Sequence, residues 1–411
     1  MSPLAAGSAA PLTLPSPVDG AEPPSRRGPV GPSSPEPRTP PGPIEITVLR
    51  EWPLVLRLEG EWRALLARAD ADRLFLSWEW LLAWYDVVGK TRSPYVVVAR
   101  DAQGRLLGVA PFYRAKARLL GALSYRGLRL MADYPTGSEY LDWIVDVDHQ
   151  APVFESLARA LAQDRGWDFV WLPYCAGWNG ASKRLADALA RAGLHRRIRE
   201  ETYAAMPLPA TFGDYLKTLS RRRREKVRQT LRRSLDGAGC EVVYCTRQED
   251  IPRFLDALFD LHGRRWEQRS ELGTFRKKPT AAAFYRRFAP AALERGWLRL
   301  AGVTRSGEFL AVQLGYLCDG VFYQIQEGFD PQTHGVGNAL RASIIERSIS
   351  RDHLTGYDFL AGFSEGKARW GAVPRTGHSI MAVRPGWGAM ALRRVPVWPT
   401  GRYLRFADLQ R

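Results

Sequence analysis

Val321-Phe-Tyr-Gln-Ile-Gln-Glu-Gly-Phe-Asp-Pro-Gln-Thr-His-Gly-Val-Gly-Asn338 joins a strand pattern, a glycine turn and the start of a helix. Over Val321 to Glu327 apolar and polar residues alternate, the period of a half-buried strand. From Asn338, a good N-cap residue, Leu340, Ile344, Ile345 and Ile349 recur at helical spacing. Between them the two glycines let backbone N–H groups approach a ligand closely, and the new helix points its positive end the same way. Gln332, Thr333, His334, Gly335, Val336, Gly337 and Asn338 are therefore expected to hold an anion such as a pyrophosphate. A glycine turn without a ligand has the same local pattern, so the surrounding order decides.

That order is distinctive. Gly296–Thr304 and Phe309–Leu317 read as a hairpin through Arg305-Ser306-Gly307-Glu308, and beyond the helix come Thr355–Gly362 and Gly366-Lys367-Ala-Arg-Trp370-Gly371. Gln-x-x-Gly-x-Gly resembles the acyl-CoA pyrophosphate loop of the GNAT N-acetyltransferases. The later segments, with Asp358-Phe359, Gly362, Lys367 and Trp370-Gly371, are similar to the CelD/BioF-like branch, often tied to bacterial polysaccharide biosynthesis. The resemblance spans residues from about 50 to about 385. It departs at Gly366, where the family usually has tyrosine. It implies an acyl-CoA co-substrate, acetyl-CoA or a longer acyl-CoA, and no metal.

An internal repeat extends the fold assignment. Tyr95 through Gly104 to Tyr113 aligns with Leu298 through Gly307 to Tyr316, each reading as strand, glycine turn, strand. Gly166–Leu172 mirrors Gly356–Gly362. Where the first copy would carry a phosphate loop it has Asp146-Val-Asp-His-Gln-Ala-Pro152, whose acids would repel phosphate. The expected architecture is α/β, with two GNAT-like domains, each a mixed, mostly antiparallel sheet flanked by helices. The expected boundaries are a disordered tail over 1–43, an N-terminal domain over 44–200 without the CoA loop, an acyltransferase domain over 201–390 and an extension over 391–411.

Composition agrees. At 411 residues the chain suits two cores. The Pro-, Ser- and Gly-rich start has too few large apolar side chains to offset ordering entropy, and lacks the apolar core of a secretory signal. No apolar run is long enough to span a bilayer. Cys175, Cys240, Cys245 and Cys318 show no CxxC or metal-ligand spacing, as expected of reduced thiols in a cytoplasmic protein. Strands are expected at Ile44–Leu49, Arg129–Ala132, Tyr140–Val145 and Tyr203–Leu208. Helices are expected at Trp78–Val88 (capped by Ser77), Phe154–Leu161, Ser182–Ala192, Ile251–Gln268, Thr280–Glu294 and from Phe212 onward.

The net charge of +16 gathers in Lys217–Arg233, expected as a helix with one basic face and an apolar stripe through Leu216, Leu219, Val227, Leu231 and Leu235. A solvated surface, contact with CoA phosphates or an anionic acceptor, an acidic membrane surface and RNA are four readings of that face. The RNA reading arises because transferases that build peptidoglycan bridges share the tandem fold and use aminoacyl-tRNA. No aromatic residues interleave the cluster to stack bases, which weighs against nucleic acid.

The expected chemistry is direct attack of an amine or hydroxyl on a thioester, with a base, a donor to the thioester oxygen and a thiolate leaving group. Glu327, ending the strand before the loop, is the first candidate base; Asp358 is the second, with Asp168 as its apparent counterpart. Lys367 would pair with Asp358 or hold an acceptor anion, and His334 would contribute its backbone N–H. The expected function is acyl transfer to a small amine or saccharide acceptor in envelope or polysaccharide synthesis. Aminoacyl-tRNA-dependent peptide-bond formation and an inactive scaffold are the alternatives.

Overall fold

Strand patterns dominate the chain, and the computed structural model gathers them into one 14-stranded sheet. It describes residues 42–235, 239–267, 273–386, 389–395, 397–399 and 403–407; the expected tail before residue 42 lies outside them. The strands are β1 (Glu45–Leu49), β2 (Ser93–Arg100), β3 (Leu106–Leu119), β4 (Leu123–Leu130), β5 (Ile144–Val145), β6 (Phe169–Ala176), β7 (His195–Pro207), β8 (Glu241–Tyr244), β9 (Leu298–Arg305), β10 (Glu308–Cys318), β11 (Val321–Phe329), β12 (Gly356–Ala361), β13 (Val373–Val383) and β14 (Leu404–Phe406).

Their spatial order is β1-β2-β3-β4-β6-β13-β7-β12-β11-β10-β9-β8, with β5 and β14 beside β3. The order is palindromic. The run β1-β2-β3-β4-β6 is answered by β8-β9-β10-β11-β12, and in each the last pair is parallel, β4 with β6 and β11 with β12. At the centre the halves exchange strands. β7 follows the first half in sequence yet pairs with β12, and β13 follows the second yet pairs with β6. β7 and β13 pair with each other from Val373↔Ala205 to Val383↔His195. The expected boundary at 200/201 thus falls within β7, and that at 390/391 within the Met390–Arg394 helix.

Both aligned hairpins are present, turning at Gly104 and Gly307 with φ of +80° and +84°, a region where only glycine is free of Cβ strain. Bulges correct the second alignment. β6 is interrupted between Leu172 and Cys175, and β12 between Asp358 and Ala361. Leu172, not Asp168, is therefore the counterpart of Asp358; Asp168 instead accepts from the backbone N–H and guanidinium of Arg126.

Strand β2 is buried through Pro94–Ala99 because helices cover both sheet faces, which turns the usual alternation into a continuous apolar run. The helix Trp78–Val87, capped by Ser77 Oγ accepting from Trp80 N–H at 3.2 Å, crosses between halves. Its Trp80 ring meets Phe284 and Phe288 of the helix Pro279–Glu294 at 4.8 and 4.7 Å. Trp80 is fully buried, so Trp80→Ala would cost about 3–5 kcal/mol in transfer and cavity terms.

Two expected elements differ. Tyr140–Val145 is strand only at Ile144–Val145, because Tyr140 sits at φ +58° in a loop that crosses to the second half. The basic stretch is two helices, Phe212–Thr218 and Arg221–Ser234. Ser220 caps the second, its Oγ accepting from Arg223 N–H and diverting the chain.

Candidate active site

β11 and β12 pair only over Val321–Tyr323 and Gly356–Asp358, so beyond Tyr323 and Asp358 their ladder ends. On its other edge β11 carries a bulge: Leu314 faces Gln326 and Gly315 faces Gln324, leaving Ile325 as the extra residue. A bulge interrupts the ladder and leaves backbone polar groups unpaired. Next along the chain comes the glycine loop. Asp330 shapes it, accepting from Gln332 N–H at 3.1 Å and from Thr333 Oγ1 at 2.6 Å.

The helix begins three residues earlier than expected. Gly335, at φ +84°, is the N-cap and the helix runs Val336–Ser350, so Asn338 lies exposed in its first turn. As at the start of any helix, the N–H groups of that turn have no intrahelical partner. Each glycine also has a packing reason. A Cβ at Gly335 would lie 2.9 Å from Ser234 Oγ, and one at Gly337 would lie 2.9 Å from the Phe329 ring. In the first half the corresponding turn is closed by its own carboxylate, Asp146 accepting from Asp148 N–H at 3.0 Å and pairing with Arg68.

The sequence-based candidates occupy unequal positions. Glu327 accepts from Arg265 at 3.0 Å, from Gln324 at 3.3 Å and from Arg341. Burial disfavours its charge, but the two guanidinium groups outweigh burial and hold the carboxyl below its usual range. It ends a chain in which Gln313 donates to Tyr357 OH at 3.0 Å and Tyr357 OH donates to Gln324 at 2.8 Å. This bracing carboxylate, saturated with donors, is not the free base expected of it.

Asp358 is buried and accepts from Tyr140 OH at 3.0 Å, from Leu360 N–H at 2.8 Å and from Arg375. Burial raises its pKa and Arg375 only partly offsets this. Lys367 does not pair with Asp358. Its ammonium donates to the carbonyls of Phe359 at 2.8 Å, Leu360 at 3.3 Å, and Ala361 and Gly362 at 2.7 Å. Burial lowers its pKa, against the pull of Glu139 and Asp358. Gly366 is exposed with open space around it apart from Ser364 Oγ. Trp370 is buried between Arg223 at 4.4 Å and Arg341 at 5.5 Å, which ties the arginine-rich helix to this motif.

Glu139 was not anticipated. It is half-buried, and its Oε2 accepts from Ala361 N–H at 2.7 Å, where β12 leaves β11. Burial, reinforced by the charge of Asp358, pushes its carboxyl well above the usual range. It lines a cavity of about 400 Å³ with Gln326 of the bulge, Ala361, Tyr285 and Lys278. The only sequence signal was Tyr134-Pro-Thr-Gly-Ser-Glu-Tyr-Leu-Asp142, a turn-rich stretch carrying two acids and two tyrosines.

Residues 221–369 match the family model described as an acetyltransferase (GNAT) domain. No curated protein matches the chain. Among solved structures it is similar to the crystal structure of FemX, at 14% identity and TM-score 0.57, covering 78% of this chain and 95% of that one. It is also similar to a conserved protein of unknown function from Bacteroides thetaiotaomicron VPI-5482, at 12% identity and TM-score 0.51, covering 83% and 100%. At such identities the likeness is one of fold. Residues 221–369 are thus a GNAT acetyltransferase domain within a mixed, mostly antiparallel sheet flanked by helices, and the chain is an acyltransferase.

Proposed function

We propose that the chain transfers an acyl group, acetyl in the simplest case, from acyl-CoA to an amine, with saccharide acceptors of the CelD/BioF-like branch within the same reading. The observation that carries it is the loop Gln332–Asn338, a helix N-terminus set at the end of the strand whose ladder to β12 has just opened. Pyrophosphate would lie on the first-turn N–H groups, and the pantetheine arm would run along β11 to the bulge at Ile325.

The acceptor nitrogen attacks the thioester carbon, the C–N bond forms, and the C–S bond breaks as thiolate leaves. An unpaired N–H at the bulge stabilises the oxyanion. Glu139 takes the proton from the attacking nitrogen; the thiolate is protonated to give CoA. A carboxyl raised by burial is a better match to this task than an ordinary one.

A second reading has support from the groove of about 830 Å³ lined by Arg222, Arg223, Lys226, Arg232 and Arg369. The same helix packs Thr230 and Ser234 toward Gly335. A phosphodiester chain leading into the loop, as in an aminoacyl-tRNA donor, would use that charge. Isothermal titration with acetyl-CoA tests the first reading. Saturable binding supports it; absence of binding together with a salt-sensitive tRNA gel shift supports the second.

A further inference from the structure

The loop that supplies Glu139 to one cavity supplies Tyr140 and Asp142 to another, of about 270 Å³. This second cavity reaches the same strands at Tyr323 and Asp358, the last residues before the β11–β12 ladder ends. Charged groups around it pair off unequally. Asp358 is held by Arg375, Asp319 by Arg73 at 3.4 Å and Asp70 by Arg184 at 3.1 Å.

Among the described residues two carboxylates make no ion pair, although the charge of Arg184 still acts on Asp142. Asp72 accepts, among the described residues, only from neutral donors: Leu74 N–H at 3.0 Å, Phe75 N–H at 2.7 Å and Tyr323 OH at 3.1 Å. Asp142, only 4% exposed, accepts from Trp143 N–H at 2.6 Å through Oδ1. Among the described residues its other oxygen has no partner, although the residue lines the cavity. Burial of a carboxylate that makes no ion pair is costly, and a cation in the cavity would reduce that cost.

The walls fit an organic cation. Tyr140, Tyr323 and Trp178 line the space, and Trp178 remains 42% exposed at its rim. The Trp178 face already carries the Arg375 guanidinium at 4.0 Å. Aromatic faces attract cations of this kind. Among the described residues no three His, Cys, Asp or Glu side chains are grouped to hold a metal ion, so a bare ion is a poor match.

We infer that this cavity anchors an alkylammonium group of the acceptor, between Asp72, Asp142 and the aromatic walls, while the reacting nitrogen lies in the neighbouring cavity beside Glu139. The inference rests on the acyl-transfer reading for its role, though the binding itself can be measured separately. The acceptor is then a molecule bearing a cationic group besides its nucleophile.

The probe is n-butylammonium, titrated at pH 8 against wild type, Asp142→Asn and Trp178→Ala, with 1-butanol as the uncharged control and acetyl-CoA titrated in parallel. Saturable one-to-one binding of n-butylammonium at least tenfold tighter than 1-butanol is expected, weakened tenfold or more by Asp142→Asn and severalfold by Trp178→Ala. Should Asp142→Asn fail to fold, Asp72→Asn takes its place with the same expected loss. Equal affinity for the alcohol, no saturable binding, or full affinity in the folded aspartate variant overturns the inference. Acetyl-CoA binding without butylammonium binding rejects the anchor alone; the reverse rejects the donor reading alone.

Discussion

Glu139 of the first half accepts the backbone N–H of Ala361 in the second at 2.7 Å, so the carboxyl is carried to the opening of β12 by a loop from the other half. Glu139→Gln keeps that hydrogen bond and removes the base. Thiol release from acetyl-CoA with an amine acceptor is expected to fall by about 10²–10⁴-fold, with acetyl-CoA affinity unchanged. Because the base works only when ionised and its pKa is raised, wild-type kcat should rise with pH well above the usual carboxylate range. Full activity in the variant would remove Glu139 from the mechanism.

Asn338 gives a clean test of the loop, since the glycines carry packing duties of their own. Asn338→Glu places a carboxylate on an exposed first-turn position, where the helix dipole favours it by about 0.3–1 kcal/mol. Melting temperature should hold or rise while acetyl-CoA affinity drops at least tenfold. Wild-type affinity in the variant would exclude this helix end as the pyrophosphate site.

Glu327→Gln leaves Arg265 and Arg341 facing no carboxylate. The pair is partly exposed, so the loss at pH 7 should be about 2–3 kcal/mol, below that of a fully buried pair. The folded-state pKa is depressed, so the wild-type stabilisation is present above the unfolded value of about 4.3 and disappears as pH falls through the folded value. Urea unfolding should show the variant's deficit shrinking toward pH 3. An undiminished deficit there would mean that packing, not charge, is what Glu327 supplies.

Asp72 and Asp142 have the opposite sign. Burial pushes both carboxyls up to about 7. Between about pH 4 and 7 the folded state therefore binds more protons than the unfolded one, and stability should decline as pH rises through that window. Asp142→Asn should flatten the decline and be more stable than wild type at pH 8 without added amine. A steeper decline in the variant would contradict the assignment.

Much of this fold was legible locally. Hairpin turns at Gly104 and Gly307 are written in adjacent residues, and the loop at Gln332–Asn338 announces itself by glycine chemistry. What escaped was set by distant partners. Glu327 looked free because Arg265 and Arg341 lie on helices before and after it. Glu139 carried no signal of its own and Asp142 fell within an expected strand, because β12 and the acidic cavity are assembled from both halves. The helix cap moved from Asn338 to Gly335 because glycine can take the left-handed conformation and start the helix early. The Asp168–Asp358 alignment failed because the aromatic-Asp-Phe likeness is only local, whereas the matching bulges after Leu172 and Asp358, invisible in apolar alternation, set the true register.

The traded strands β7 and β13 also fix what either half can be by itself. A fragment ending after β7 would present that strand with neither β12 nor β13 beside it. Two copies of the fragment could satisfy each other, each lending its β7 to the other and restoring the order β4-β6-β7-β7-β6-β4 around a true two-fold axis. The single chain thus has the connectivity of a swapped homodimer whose subunits have been fused. That fusion frees the two ends to diverge, one keeping an open helix terminus at Gly335 and the other closing its own with Asp146.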